Sequence, residues 1–189
     1  APLSFPVAQL AAERLGNAKA GPVDSSTLVG AQVLLGGLAQ REQAATGVQL
    51  DWPLVNRIAK EFVGKFGVAD RFENIDGDFH TADFGSQQYD YAIYGHVAHQ
   101  ETPADNLAIL RKFRKALKPG GTLLINDFIL DDQRVGHPFA MMFASQMLLV
   151  SKGGNTWRQS DYRTWLAEAG FGSVDIVPTP TPSTVIFAK

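Results

Sequence analysis

Apolar positions along this chain switch period repeatedly, and the switches mark out alternating strands and helices. Leu107, Leu110, Phe113 and Leu117 recur at mostly helical spacing, and the apolar run Thr122 to Ile125 follows almost at once. Between them Lys118 favours a helix C-terminus, Pro119 stops a helix, and Gly120 and Gly121 permit a reversal. Four consecutive residues without polar alternation predict a strand covered on both faces, central in a parallel sheet. The same reading predicts short strands at Thr27–Val29, Val48–Leu50, Phe72–Ile75, Tyr89–Tyr94, Val174–Val177 and Thr184–Ala188. Helices are expected at Ala8–Leu15, Val33–Gln43, Leu54–Phe66, Pro103–Leu117 and Pro138–Val150, with a last one capped by Ser160 and closed by Gly170. The final two strands, joined by PTPTPS, are short enough to pair as an antiparallel hairpin.

This order predicts an α/β fold: a Rossmann-like, doubly wound, mostly parallel sheet with helices on both faces. Ligands bind such sheets beyond the carboxyl ends of the strands. The 189 residues, 45% hydrophobic and 19% charged, suit one domain over 1–189, in which 1–20 forms a helical lead-in. A net charge of −2 argues against a general nucleic-acid binder. The basic cluster Arg111, Lys112, Arg114, Lys115 and Lys118 reads as the solvated face of a helix. Zero cysteines exclude disulfides, thiolate metal sites and cysteine nucleophiles. No apolar run approaches the roughly 20 residues of a membrane span. We therefore expect a cytoplasmic protein with no membrane and no nucleic-acid partner.

Candidate chemistry follows the strands. Asp51, at the end of the second strand, suits the vicinal hydroxyls of a ribose, or equally a turn before Pro53. Asp78 in DGDFH suits an adenine amino group with Phe79 on the ring, or a plain turn after Gly77. His96 and His99 stand three apart past the next strand, and either could act as a general base. Asn126, Asp127, Asp131 and Asp132 could clamp a substrate or cation, although no metal is expected. Met141, Met142 and Met147 with Phe139 and Phe143 could line an apolar pocket or fill core, core being favoured. Trp157 and Arg158 could form part of a lid.

Together LDWP (50–53), FGVADRFENIDGDF (66–79), YDYAIYGHVAH (89–99), LRKFRKALKPGGTLLINDF (110–128) and WLAEAGF (165–171) resemble the class I S-adenosylmethionine-dependent methyltransferases. Within these, the chain is similar to the small-molecule O-methyltransferases. The resemblance implies a seven-stranded sheet with an antiparallel last strand and S-adenosylmethionine as cofactor. It places Gly30, Asp51, Trp52, Asp78, Phe79 and Gly95 at the cofactor and His99 as the proton acceptor. His96, Asp127, Phe139, Met142, Phe143 and Met147 are expected around a small, aromatic acceptor. It also implies an upstream helical domain through which the full-length protein forms a homodimer.

One block departs from the pattern. Where the family has an acidic residue and a DxGxG turn, this chain reads Thr27-Leu-Val-Gly-Ala-Gln-Val33, keeping only Gly30. Two alternatives to methyl transfer stand beside it: a noncatalytic member of the same fold with weak or no cofactor binding, and a nicotinamide-dependent dehydrogenase. The latter lacks its GxGxxG turn.

Overall fold

The computed structural model describes residues 10, 14, 26–29, 46–65, 67, 69–134 and 137–189. Its strands are β1 (Ser26–Val29), β2 (Thr46–Asp51), β3 (Phe72–Asp76), β4 (Tyr89–Gly95), β5 (Leu117–Asp127), β6 (Val174–Pro178) and β7 (Thr184–Ala188). They form one mixed sheet in the order β3-β2-β1-β4-β5-β7-β6. Neighbours from β3 through β5 are parallel, whereas β7 runs antiparallel to both β5 and β6. Every residue of β4 is buried, as are Thr122 to Asp127 of β5, which makes these two the covered centre of the sheet.

The helices are α1 (Pro53–Gly64), α2 (Pro103–Ala116), α3 (Pro138–Val150) and α4 (Gln159–Ala169). In α2 the Thr102 hydroxyl accepts from Asp105 N at 3.2 Å, Pro103 presets the first turn, and Arg114 and Lys115 occupy the last. Its inner stripe of Ile109, Leu110, Phe113 and Ala116 shares a core with Tyr162, Trp165, Leu166 and Ala169 of α4. None of the described helices is long and apolar enough to cross a membrane. Leu10 and Arg14 are helical, and Arg14 pairs with Asp175 of β6 at 2.8 Å. The rest of the helix expected at Ala8–Leu15, the helix expected at Val33–Gln43 and Gly30 lie outside the described residues.

Three expectations need correction. KPGG is not a free turn before the strand: α2 ends at Ala116 and β5 begins at Leu117. Tyr89 pairs with Leu117 and Tyr91 with Thr122, so Lys118 to Gly121 bulges opposite the single residue Asp90. The bulge explains both glycines. Gly120 sits at φ +78°, and a Cβ on Gly121 would lie 3.0 Å from the Asp90 and Lys118 carbonyl oxygens.

Ser160 does not cap α4. The cap is Arg158, whose N–H donates to Asp161 Oδ2 at 2.8 Å, while Ser160 lies in the first turn with its N–H on Asp132 Oδ1. Nor is the basic cluster simply solvated. Lys112 Nζ donates to the Phe79 and His80 carbonyls, Arg114 Nε to Gly170 O, and Lys118 Nζ to Asp90 Oδ2 at 2.8 Å.

Candidate functional site

The register of the parallel strands gathers the expected donor-site residues along one sheet edge. Asp51 of β2 pairs with Asp76 of β3, so Asp78 lies just two residues beyond on the neighbouring strand. Val29 of β1 pairs with Gln49 and Ile93, so the chain leaves β1 between the strands that end in Asp51 and Gly95. Asn56 fastens this edge: its amide nitrogen donates to Asp51 O, Ile75 O and Asp76 Oδ1.

Asp51 is half-buried and accepts from Trp52 N at 2.8 Å. Burial raises its carboxyl pKa above the ordinary value, and the bonds from Trp52 N–H and the Gln49 amide offset part of that. The buried Gln49 Oε1 beside it makes no hydrogen bond. Asp78 sits in the turn after β3, where the His80 backbone N–H and then its ring hold the carboxyl below its usual pKa. Two carboxylates on adjacent strand ends and an unpartnered buried amide oxygen fit a polar, hydroxyl-bearing ligand. Trp52 is half-exposed and free to pack on a ligand's face.

The second half of the site lies past β4 and β5, where Gly95 pairs with Asn126. His99 occupies the 3-10 turn Ala98–Gln100, and Asp127 ends β5. His99 Nδ1 lies 2.6 Å from Asp127 Oδ1, and the His99 backbone N–H donates to Oδ2 at 3.1 Å. Phe128 N adds a third bond at 2.8 Å to Oδ1. A carboxylate only accepts, so Nδ1 carries a proton, and in the neutral ring Nε2 keeps its lone pair. Asp127 is completely buried with both oxygens engaged, and it stands behind the His99 ring.

His96 adopts φ +55°, a left-handed conformation uncommon for a residue with a side chain. This turns its ring toward Phe128, with centroids 4.9 Å apart, and Asn126 Nδ2 contacts Nε2 at 3.2 Å. Burial lowers the His96 pKa, against the opposing pull of Asp127, so the ring is neutral at physiological pH. Donor atoms of His96, His99 and Asp127 lie within 4.8 Å of one another, close enough for a cation. The 2.6 Å contact between His99 Nδ1 and Asp127 Oδ1 is a hydrogen bond, so two of these three side chains are paired with each other.

Above His99 stands an aromatic wall. Phe143 meets the imidazole edge-on at 4.9 Å, and Phe128 lies 4.7 Å from Phe143 and 5.0 Å from Phe139. Phe139 and Phe143 thus join the histidines, with Phe128 as a hub that sequence reasoning did not single out. The methionines divide: Met147 is buried, whereas Met142 is 73% exposed, so neither core filling nor a common pocket describes both. Trp157 does not behave as a lid. Its indole N–H donates to Ala98 O at 2.9 Å, Asn155 N–H donates to His99 O, and a Cβ on Gly154 would fall 2.2 Å from that same oxygen. The segment is packed onto the backbone of the His99 turn.

Comparison with known proteins places the chain in a family. The O-methyltransferase domain family matches residues 39–172. The chain is 29% identical over 153 residues to a 3-hydroxy-5-methyl-1-naphthoate 3-O-methyltransferase of Streptomyces sahachiroi, covering 81% of this chain and 44% of the relative. It is 30% identical over 160 residues to an L-tyrosine C(3)-methyltransferase of Streptomyces lavendulae, covering 80% and 42%. A solved structure from Nostoc punctiforme superposes with a TM-score of 0.90 at 27% identity, covering 99% of this chain and 57% of that one. The chain thus spans less than half the length of these curated relatives.

Proposed function

The chain belongs to the O-methyltransferase domain family, and from that premise we propose that it transfers a methyl group from S-adenosylmethionine to a hydroxyl of a small aromatic acceptor. The observation that carries the reading is the 2.6 Å contact between His99 Nδ1 and the buried Asp127, which orients an imidazole beneath three phenyl rings. Asp51 holds the donor's ribose, Asp78 and Phe79 its adenine, with Trp52 and Gly95 lining the same site. S-adenosylmethionine, when bound, supplies a methyl group activated by its sulfonium.

His99 Nε2 accepts the proton of the acceptor hydroxyl as the oxygen becomes nucleophilic. Asp127 fixes the productive tautomer and stabilises the imidazolium that forms. Phe128, Phe139 and Phe143 hold the acceptor's ring in line for displacement, with His96 and the buried Met147 of α3 completing the pocket. The scaffold we infer is the doubly wound, Rossmann-like one with helices on both faces. In the whole protein the exposed apolar side of α3, with Met142, Leu148 and Leu149, is covered on dimer formation. A cytoplasmic location accords with this donor.

A second reading, a fold that retains the scaffold without the activity, is favoured by one observation: only Gly30 remains of the expected glycine-rich loop. Incubation with methyl-labelled S-adenosylmethionine and a panel of hydroxynaphthoates and phenols separates the two. Label on a product oxygen supports the proposal. Label on a ring carbon moves it to C-methylation, and no donor binding at millimolar concentration supports the second reading.

A further inference from the structure

A third histidine, His80, bridges the two halves of the site. His80 Nδ1 lies 2.6 Å from Asp78 Oδ1, and its Nε2 lies 2.7 Å from Glu101 Oε2. Both partners are carboxylates, which as ions can only accept. A neutral imidazole has one N–H, so it would satisfy one contact and set a lone pair against oxygen in the other. The geometry therefore calls for the doubly protonated ring.

The elements around it are tied to the same bridge. Asp78 Oδ1 also takes the His80 backbone N–H at 2.8 Å, leaving Oδ2 as the oxygen that His80 does not engage. Lys112 Nζ, from α2, donates to the carbonyls of Phe79 and His80 at 2.7 and 3.0 Å, and the Phe79 and His80 rings lie 4.5 Å apart. Glu101 closes the turn that carries His99: its N–H donates to Ala98 O, and Asn106 Nδ2 donates to its carbonyl.

We propose that His80 is a positioning residue for the methyl donor: as an imidazolium it clamps Asp78 against Glu101 and aims the free carboxylate oxygen at the adenine amino group. This rests on the donor-site reading of Asp78 given above. Donor affinity then falls when the ring loses its second proton. Burial pulls the His80 pKa down, but Glu101 and Asp78 outweigh it and the net direction is upward. The facing charges are Asp78 on its own turn, Glu101 after β4 and Lys112 on α2, with Asp83 acting on Lys112. With a raised pKa, the clamp is present at and below the ordinary histidine range and is lost as pH rises through the raised value. Asp51 acts in the opposite sense at low pH, so the His80 effect is read as a difference between variants.

The test measures S-adenosylhomocysteine binding by calorimetry from pH 5.5 to 9 on the wild-type chain, His80→Gln and Glu101→Gln, alongside an NMR titration of the His80 ring. Wild-type affinity is expected to weaken about 1.5- to 5-fold across the His80 titration, the scale of a partly exposed charge contact. His80→Gln should remain at the weakened level without that step, and Glu101→Gln should move the step to lower pH. Identical pH profiles in wild type and His80→Gln overturn the proposal, as does a ring that titrates at or below the ordinary value. Asp78→Ala separates the two levels. If it binds S-adenosylhomocysteine as tightly as wild type while His80 still titrates high, the donor-site reading has failed and the proposal with it; if it weakens binding but His80→Gln does not, only the proposal has.

Discussion

Replacing Asp127 by Asn changes one atom at the point where β5 meets the His99 turn. Asp127 Oδ1 accepts His99 Nδ1 and Phe128 N, while Oδ2 accepts the His99 backbone N–H. An amide placed there has one oxygen and one NH2 group. Either orientation sets the NH2 against a backbone N–H, donor against donor, in a completely buried position. Leaving such groups unmatched costs about 1–3 kcal/mol, which in a chain of this size lowers the melting temperature by roughly 2–12 °C.

The rate should fall further, because the imidazolium formed on proton uptake loses its counter-charge. A hydrogen bond to an ion is worth about 1.5–3 kcal/mol, so turnover drops about 10- to 150-fold. Affinity for S-adenosylhomocysteine should change less than about twofold, since Asp127 lies behind the base. Label transfer and calorimetry on Asp127→Asn measure both quantities. Unchanged turnover in a folded variant refutes the reasoning, and so does a loss of cofactor affinity as large as the loss of rate.

Other outcomes follow from the same geometry. Gly154→Ala puts a Cβ 2.2 Å from His99 O, so we expect at least about a tenfold loss of turnover and a lower melting temperature; wild-type behaviour in both would show that this packing is unimportant. Gly120→Ala should cost about 1–2 kcal/mol in denaturant unfolding, since its φ of +78° disfavours a side chain although the space is open. For Asp51, burial raises the pKa, so donor affinity should fall as pH drops through a value above 3.8; Asp51→Asn should bind weakly and without that dependence.

The strands were legible because buried runs such as Tyr89–Tyr94 and Thr122–Ile125 have few structural alternatives. The start of β5 was not, since KPGG carries the local signals of a turn, and only pairing with β4 reveals a bulge. His99 and Asp127 could each be placed after a strand. Their contact, across 28 positions, depends on β4 and β5 being neighbours, which the order of elements alone does not specify. The His80 to Glu101 bridge, across 21 positions, has no local signature at all. The glycines before Trp157 suggest a lid; in the structure Gly154 instead lets the segment pack closely on the backbone of the His99 turn.

The central claim, that His99 is the base of a methyl transfer, is tested most directly by comparing wild type with His99→Gln in label transfer from S-adenosylmethionine to a hydroxynaphthoate acceptor. S-adenosylhomocysteine affinity is measured on the same samples. The account predicts turnover reduced at least about 100-fold in the variant, with affinity changed less than about twofold. Equal turnover in the two proteins would contradict it.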